Sequence, residues 1–239
     1  MINKKLNLNL YFSTLFLFIL FGCKDSNDAV QPKNTGENIV SFEKGEYVVY
    51  AITKINFLVS GKKDTNQFYI KEQVSDTLNL GNENVTKLIR YKKDKITDKT
   101  WAIDSVWYMY KSKNQLVKVE NNVKFVKLIY PVQSNQKWNG NVLNNLDAQN
   151  YQTRNFGSKY LISNEIKDTV FTNSLTVIQN DSLPINLLNR NYSVEIFADN
   201  MGLIYKEYQI YTYDQSAIGS FKISTGTRYI QKYLSYGKE

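Results

Sequence analysis

An all-β fold is predicted, a single antiparallel sheet domain shaped as a curled half-barrel or a two-layer meander, and three features of the sequence predict it. Runs rich in Val, Ile, Tyr, Phe and Thr follow one another from about residue 42 to residue 239, and such side chains suit a pleated, half-covered surface. Several runs alternate with a period of two. In QFYIKEQVS, Phe68, Ile70 and Val74 fall opposite Tyr69, Lys71 and Gln73. The gaps between runs are short and carry turn residues, which join antiparallel neighbours.

Taken from the N-terminus, the first element is a leader. MINKKLNLNL supplies positive charge at Lys4 and Lys5, and YFSTLFLFILF supplies an apolar run. That length suits the core of a secretory signal and falls short of the roughly 20 apolar residues that span a bilayer. Cys23, the chain's one cysteine, follows at once in Leu20-Phe21-Gly22-Cys23. This pattern resembles the lipobox of bacterial lipoproteins, with leucine three places before the cysteine and a small residue just before it. Phe21 departs from the smaller residue usual between them. The resemblance implies that residues 1–22 are a cleaved signal peptide. It also implies that Cys23 carries the lipid, a diacylated thiol and an acylated amine with palmitate-type chains. Each buried methylene contributes about 0.8 kcal/mol, so one chain holds marginally and two or three hold firmly. Lys24-Asp25 is similar to the lysine-plus-acid export signal of surface lipoproteins in the Bacteroidota, with Ser26 where a second acid usually stands. Anchoring in the outer membrane is expected, facing either the periplasm or the surface.

Residues 23–41 are read as the lipidated N-terminus and a flexible tether, because KDSNDAVQPKNTGENIVS is polar and offers little to bury. Residues 42–239 form the β domain. Its strands are EYVVYAITK, QFYIKEQVS, VTKLIRYK, WAIDSVWYMY, LVKVE, VKFVKLIYPV, KYLISNEI, SLTVIQ, YSVEIFA and LIYKEYQIYTY. Asn121-Asn122 is a two-residue turn, since asparagine tolerates positive φ. DNMG is another, ending in Gly202. The stretch 139–154 lacks strand character and reads as a loop or short helix.

Composition excludes whole chemistries. There is no histidine, so no Ser-His-Asp or Cys-His catalyst can be built. Zinc sites of Cys/His type are ruled out, as are disulfides within the chain. No metal and no cofactor is expected. The net charge of +8 is spread thinly, as in KKDKITDK (92–99), and the arginines are only Arg90, Arg154, Arg190 and Arg228. That is too few for phosphate or base readout, so no nucleic acid partner is expected. A weak attraction to anionic membrane surfaces stays open.

Two segments carry a second resemblance. PVQSNQKWNGN (131–141) and EIFADNMGLIYKE (195–207) look like pieces that recur in uncharacterised exported β proteins of bacteria. Those proteins, and at fold level the Lol-type lipoprotein carriers, are curved sheets that cup apolar material. The resemblance covers about a tenth of the chain and implies architecture rather than function.

Four sets of residues are candidate sites. Trp101 and Trp107 are placed on one strand face with Ile103 and Met109, as a core strand or as the wall of an apolar pocket. Tyr205, Tyr211 and Tyr213 share a face with Leu203, either as cross-strand pairs or as an exposed platform. Asp104 and Glu195 sit in apolar strands, where burial raises a carboxyl pKa, but nothing singles out a catalytic pair. Asp-Ser/Thr-apolar triplets resembling Bacteroidota O-glycosylation acceptors place glycan at Ser182 first, then at Thr77, Thr169 and Ser105. The leading expectation is therefore a non-enzymatic lipoprotein, membrane-bound through its lipid. Its β domain binds an apolar ligand or an envelope protein. The alternatives are an accessory subunit of an envelope complex without a pocket and, ranked below both, a carboxylate-based glycan hydrolase.

Overall fold

The computed structural model describes residues 35–80, 83–182 and 188–239. The leader, Cys23 and the first part of the tether lie outside them. The remainder, Thr35–Glu239, is one compact unit.

Twelve strands build it: β1 (Glu46–Phe57), β2 (Lys63–Leu80), β3 (Glu83–Lys93), β4 (Ala102–Ser112), β5 (Gln115–Glu120), β6 (Val123–Ile129), β7 (Lys137–Asn139), β8 (Asn150–Ile162), β9 (Thr169–Ser182), β10 (Asn189–Ala198), β11 (Gly202–Tyr213) and β12 (Ile223–Lys238). They form a single sheet in the order β6-β5-β4-β3-β2-β1-β12-β11-β10-β9-β8-β7, with antiparallel pairing throughout. Every neighbour in space is a neighbour in sequence except one. β1 pairs with β12, from Glu46 opposite Lys238 to Phe57 opposite Gly226.

The sheet therefore curls into a nearly closed barrel, further than a half-barrel. Its two edges, β6 and β7, meet at a seam held by a few polar contacts. Val126 N–H donates to the Gly140 carbonyl at 2.9 Å, and the Trp138 indole Nε1–H donates to the Val126 carbonyl at 2.8 Å. Asn144 Nδ2 donates to the Lys124 carbonyl at 2.7 Å. Both backbone groups of Val126 are thus satisfied without a ladder, so an edge that would otherwise invite strand addition is covered. Gly140 is required there, because a Cβ would lie 2.3 Å from the Tyr151 ring. That ring packs edge-on against Trp138.

The turns follow the sequence expectation. Asn121 and Asn122 take φ of 51° and 66°, Asn200 takes 57° and Gly202 takes 75°. Four features differ from expectation. β7 and β12 are additional strands, and the stretch 139–154, read as a loop or short helix, is a loop only as far as 149, with β8 starting at Asn150. In KYLISNEI the strand stops at Ile162. Residues 35–41, expected to be tether, pack onto the barrel: Ile39 and Val40 are buried. Val132 N–H donates to the Thr35 carbonyl at 2.9 Å, and Asn200 N–H donates to the Asn38 carbonyl at 2.6 Å. Two apolar side chains among polar ones suffice when a barrel end offers somewhere to put them.

Two buried clusters fill the interior. One joins β2 to β10 through Leu88, Met109, Leu116, Val126, Trp138, Leu175 and Phe197, and Ile39 caps it. The other joins β1, β2 and β9 to β12 through Tyr50, Ile52, Ile70, Phe171, Ile204 and Tyr233. The β8–β9 hairpin, bent where its register slips between Arg154 and Tyr160, reaches across to β12 and β2. There Asn164 Nδ2 donates to the Tyr233 carbonyl at 3.0 Å, and the Tyr69 hydroxyl donates to Glu165 at 3.1 Å.

Candidate functional site

Alternation decides what faces inward. Val48, Glu72, Arg90 and Ser105 stand opposite one another across β1 to β4. On the far wall, Glu195, Lys206, Gln231 and Ile52 stand opposite one another across β10, β11, β12 and β1. Both rows point into the lumen, because their charges meet across it. Lys127 on β6 pairs with Glu195 on β10 at 2.9 Å and with Glu120 on β5 at 3.0 Å. Lys206 pairs with Glu195 at 3.1 Å. Lys118 pairs with Glu72 at 2.9 Å, and Arg90 pairs with Glu72 at 3.1 Å. Four cations thus face three glutamates, and Asp104, 3.4 Å from Arg90, supplies the fourth anion.

The three glutamates, Lys127 and Lys206 stay charged. Burial alone would raise the Glu195 carboxyl, but Lys127 and Lys206 outweigh it and the net shift is downward. Glu120 is likewise pushed up by burial and pulled down further by Lys127 and Lys206. Glu72 is lowered once Lys118 and Arg90 have overcome its burial. The lysines respond in kind: burial lowers Lys127 and Lys206, and their glutamate partners bring both above the ordinary value. The expectation that burial raises the Glu195 pKa is therefore corrected, for a reason that lies on β6 and β11.

A cavity of about 80 Å3 lies above this network. A single water needs roughly 10–15 Å3 on that measure, so the space takes several waters or a short aliphatic group. Its upper wall is apolar, from Val48, Val74, Leu88, Met109, Leu116 and Phe197. Its floor is charged, from Glu72, Lys118, Glu120, Lys127 and Glu195. At the mouth stand Ser41, Glu46, Asn200, Met201 and Tyr236. The Tyr236 hydroxyl donates to Glu46 Oε1 at 2.5 Å, and Glu46 Oε2 has no hydrogen-bond partner. The arrangement is an amphipathic socket with fixed, mutually neutralised charges at its base. Glutamates held ionised by lysines are poor proton donors near neutral pH.

The aromatic residues singled out from the sequence lie elsewhere. Trp107 is in the lumen but beside the cavity, its ring 3.8 Å from the Arg90 guanidinium and 4.9 Å from Lys118 Nζ. Ile103 does not share its face: the register slips between Arg90 and Tyr91, so Ser105 stays with Trp107 while Ile103 turns outward and is exposed. Trp101 precedes β4 and lies with Tyr47 and Tyr91 around the buried Lys71, whose Nζ pairs with Glu239 at 3.0 Å. Tyr211 and Tyr213 are buried, edge-on to Phe57 and Phe221. Tyr205 donates to Glu207 at 2.6 Å. Of the glycan candidates, Thr77 is exposed and Thr169 half-buried. Ser105 donates to Asp104 at 2.8 Å, and the Ser182 side chain lies outside the described residues.

Sequence reasoning named Glu195 and missed Glu72, Arg90, Lys118, Glu120, Lys127 and Lys206. Among the described residues no group of His, Cys, Asp and Glu is placed to hold a metal ion.

No family model matches the chain, and no curated protein matches it. Among solved structures it resembles a candidate exported protein with YmcC-like fold from Bacteroides fragilis NCTC 9343. The TM-score is 0.37 at 9% identity, over 81% of this chain and 97% of that one. It also resembles a candidate lipoprotein from Parabacteroides distasonis ATCC 8503, with a TM-score of 0.36 at 9% identity, over 82% and 98%.

Proposed function

We propose that this chain is a lipid-anchored envelope protein whose barrel holds a small amphiphile, or one end of a larger one, without catalysis. The observation that carries the reading is the cavity, apolar at Val74, Leu88, Met109 and Phe197 and charged at its floor. The ligand's aliphatic part packs on the upper wall and its polar end meets the floor. A purely structural accessory role needs no such space.

Native mass spectrometry of residues 35–239, which hold all twelve strands and both clusters, tests this against envelope lipid extracts. A bound adduct is expected, and Met109→Trp, which fills the cavity, is expected to lower its occupancy at least tenfold. A bare mass for the wild type, with no binding of an apolar fluorescent probe, sinks the reading. The anchor has a separate check: Cys23→Ala is expected to abolish labelling by radioactive palmitate and to leave residues 1–22 attached. Normal labelling of that variant argues against it.

A further inference from the structure

We infer that the end of the barrel opposite the cavity mouth docks on an anionic phospholipid surface. This is independent of what the cavity holds. The turns at 58–62, 94–101, 121–122, 140–149 and 214–222 all fall at that end, because each follows a strand that runs away from the mouth. Eight large exposed hydrophobic residues sit on them: Leu58, Val59, Ile96, Val142, Leu143, Leu146, Ile218 and Phe221. Val59 is 85% exposed, Ile218 67%, Val142 56%, Leu146 55% and Phe221 47%. At the mouth end, the segment 35–45 and the turns at 113–114, 130–136 and 199–201 carry none. What the described residues expose at that end is on or beside strand ends: Leu78, Tyr236, and Leu161, Ile166 and Val170 around the folded-back β8–β9 tip.

The charges of the far end point the same way. Lys62, Lys95 and Lys99 lie in these turns and Lys124 lies beside one, and none has an ion pair among the described residues. Of the acids there, Asp98 accepts from the Lys95 N–H, Asp94 pairs with Lys92 and Asp214 pairs with Lys222, while Asp147 has no ion pair among the described residues. Free ammonium groups between apolar tips suit a phosphate-bearing interface, where lysines contribute attraction and apolar side chains enter the acyl boundary. Phe221 strengthens the case. It takes φ of 53°, a strained conformation for a bulky residue, while presenting its ring at the surface. The apolar groups are distributed over four separate turns. A rigid protein partner must match each of them, whereas a fluid surface accommodates them all.

Residues 35–239 lack the lipid, so vesicle co-sedimentation reads this surface alone. Binding to vesicles of phosphatidylethanolamine with 30% phosphatidylglycerol is expected to exceed binding to phosphatidylcholine at least tenfold, and to weaken with salt. Val59→Ser/Val142→Ser/Ile218→Ser is expected to lose at least tenfold in binding with an unchanged far-ultraviolet spectrum. Lys62→Ser/Lys95→Ser/Lys99→Ser is expected to lose the preference for anionic lipid, and Ile166→Ser to bind as the wild type. A wild type that stays in the supernatant, or an apolar triple variant that binds equally well, overturns the inference. Self-association through this end, seen by light scattering and removed by the same triple variant, overturns it too.

Discussion

Glu195→Ala is expected to destabilise the barrel by about 3–5 kcal/mol, because it leaves a buried cation uncompensated. Glu195 is 2% exposed and accepts from Lys127 while lying 3.1 Å from Lys206. The remaining anion, Glu120, then faces two lysines. Urea unfolding followed by tryptophan fluorescence measures the loss. Lys127→Met/Glu195→Leu removes the pair together and leaves Lys206 with Glu120, so it should recover most of the stability. The effect depends on pH with a definite sign. The Glu195 pKa in the folded protein lies below its ordinary value of 4.5. Its contribution is therefore complete above about pH 4.5 and disappears as pH falls through the folded-state value. Wild type and Glu195→Ala should converge in strong acid. A difference that persists there, or a loss below 1 kcal/mol at pH 7, would falsify the picture of a network that holds itself charged.

The second large effect is expected at the seam. Trp138→Ala should cost about 3–5 kcal/mol, the range for deleting a large buried aromatic, and part of it comes from stranding the Val126 carbonyl without its donor. The change also has a local signature. Hydrogen exchange at Val126, whose N–H donates to Gly140, should accelerate well beyond that of the β1–β12 ladder. Trp138→Phe keeps a ring against Tyr151 but loses the indole donor, so it should fall between the two. Uniform acceleration across all strands instead assigns Trp138 to the core alone, with no special part in closure.

Much of the sheet was legible in the sequence because strands and turns are local. Asn121-Asn122 and Asn200 to Gly202 announce hairpins, and the Val, Ile and Tyr runs announce strands. β12 was harder: its lumen-facing positions include Gln231, and Gly226 and Gly237 interrupt it where bulky partners approach. A Cβ on Gly226 would meet the Ile210 carbonyl, and one on Gly237 the Tyr47 ring. β7 has three residues and no pattern to read.

The charged lumen was illegible for a different reason. In LVKVE and VKFVKLIYPV, alternation reads as valines inward and Lys118, Glu120 and Lys127 toward water. In the barrel both faces of these strands are covered: Val117 and Val126 have no exposure, and the charges turn inward. Only the partners on β2, β10 and β11, 46 to 86 residues away, make that arrangement tolerable. The Ile103 register failed on a slip between β3 and β4 that no periodicity announces.

The pairing of β1 with β12 also sets an order in time. Glu46 meets Lys238, and Phe57 meets Gly226, so the first strand made waits for the last of the twelve. At about 5–20 residues per second, that wait is on the order of 10–35 seconds of synthesis. Throughout it, the hydrogen-bonding groups on one side of β1 have no native partner. Closure is thus a late, long-range event of the kind that slows folding, and the barrel cannot lock until its last strand has been made.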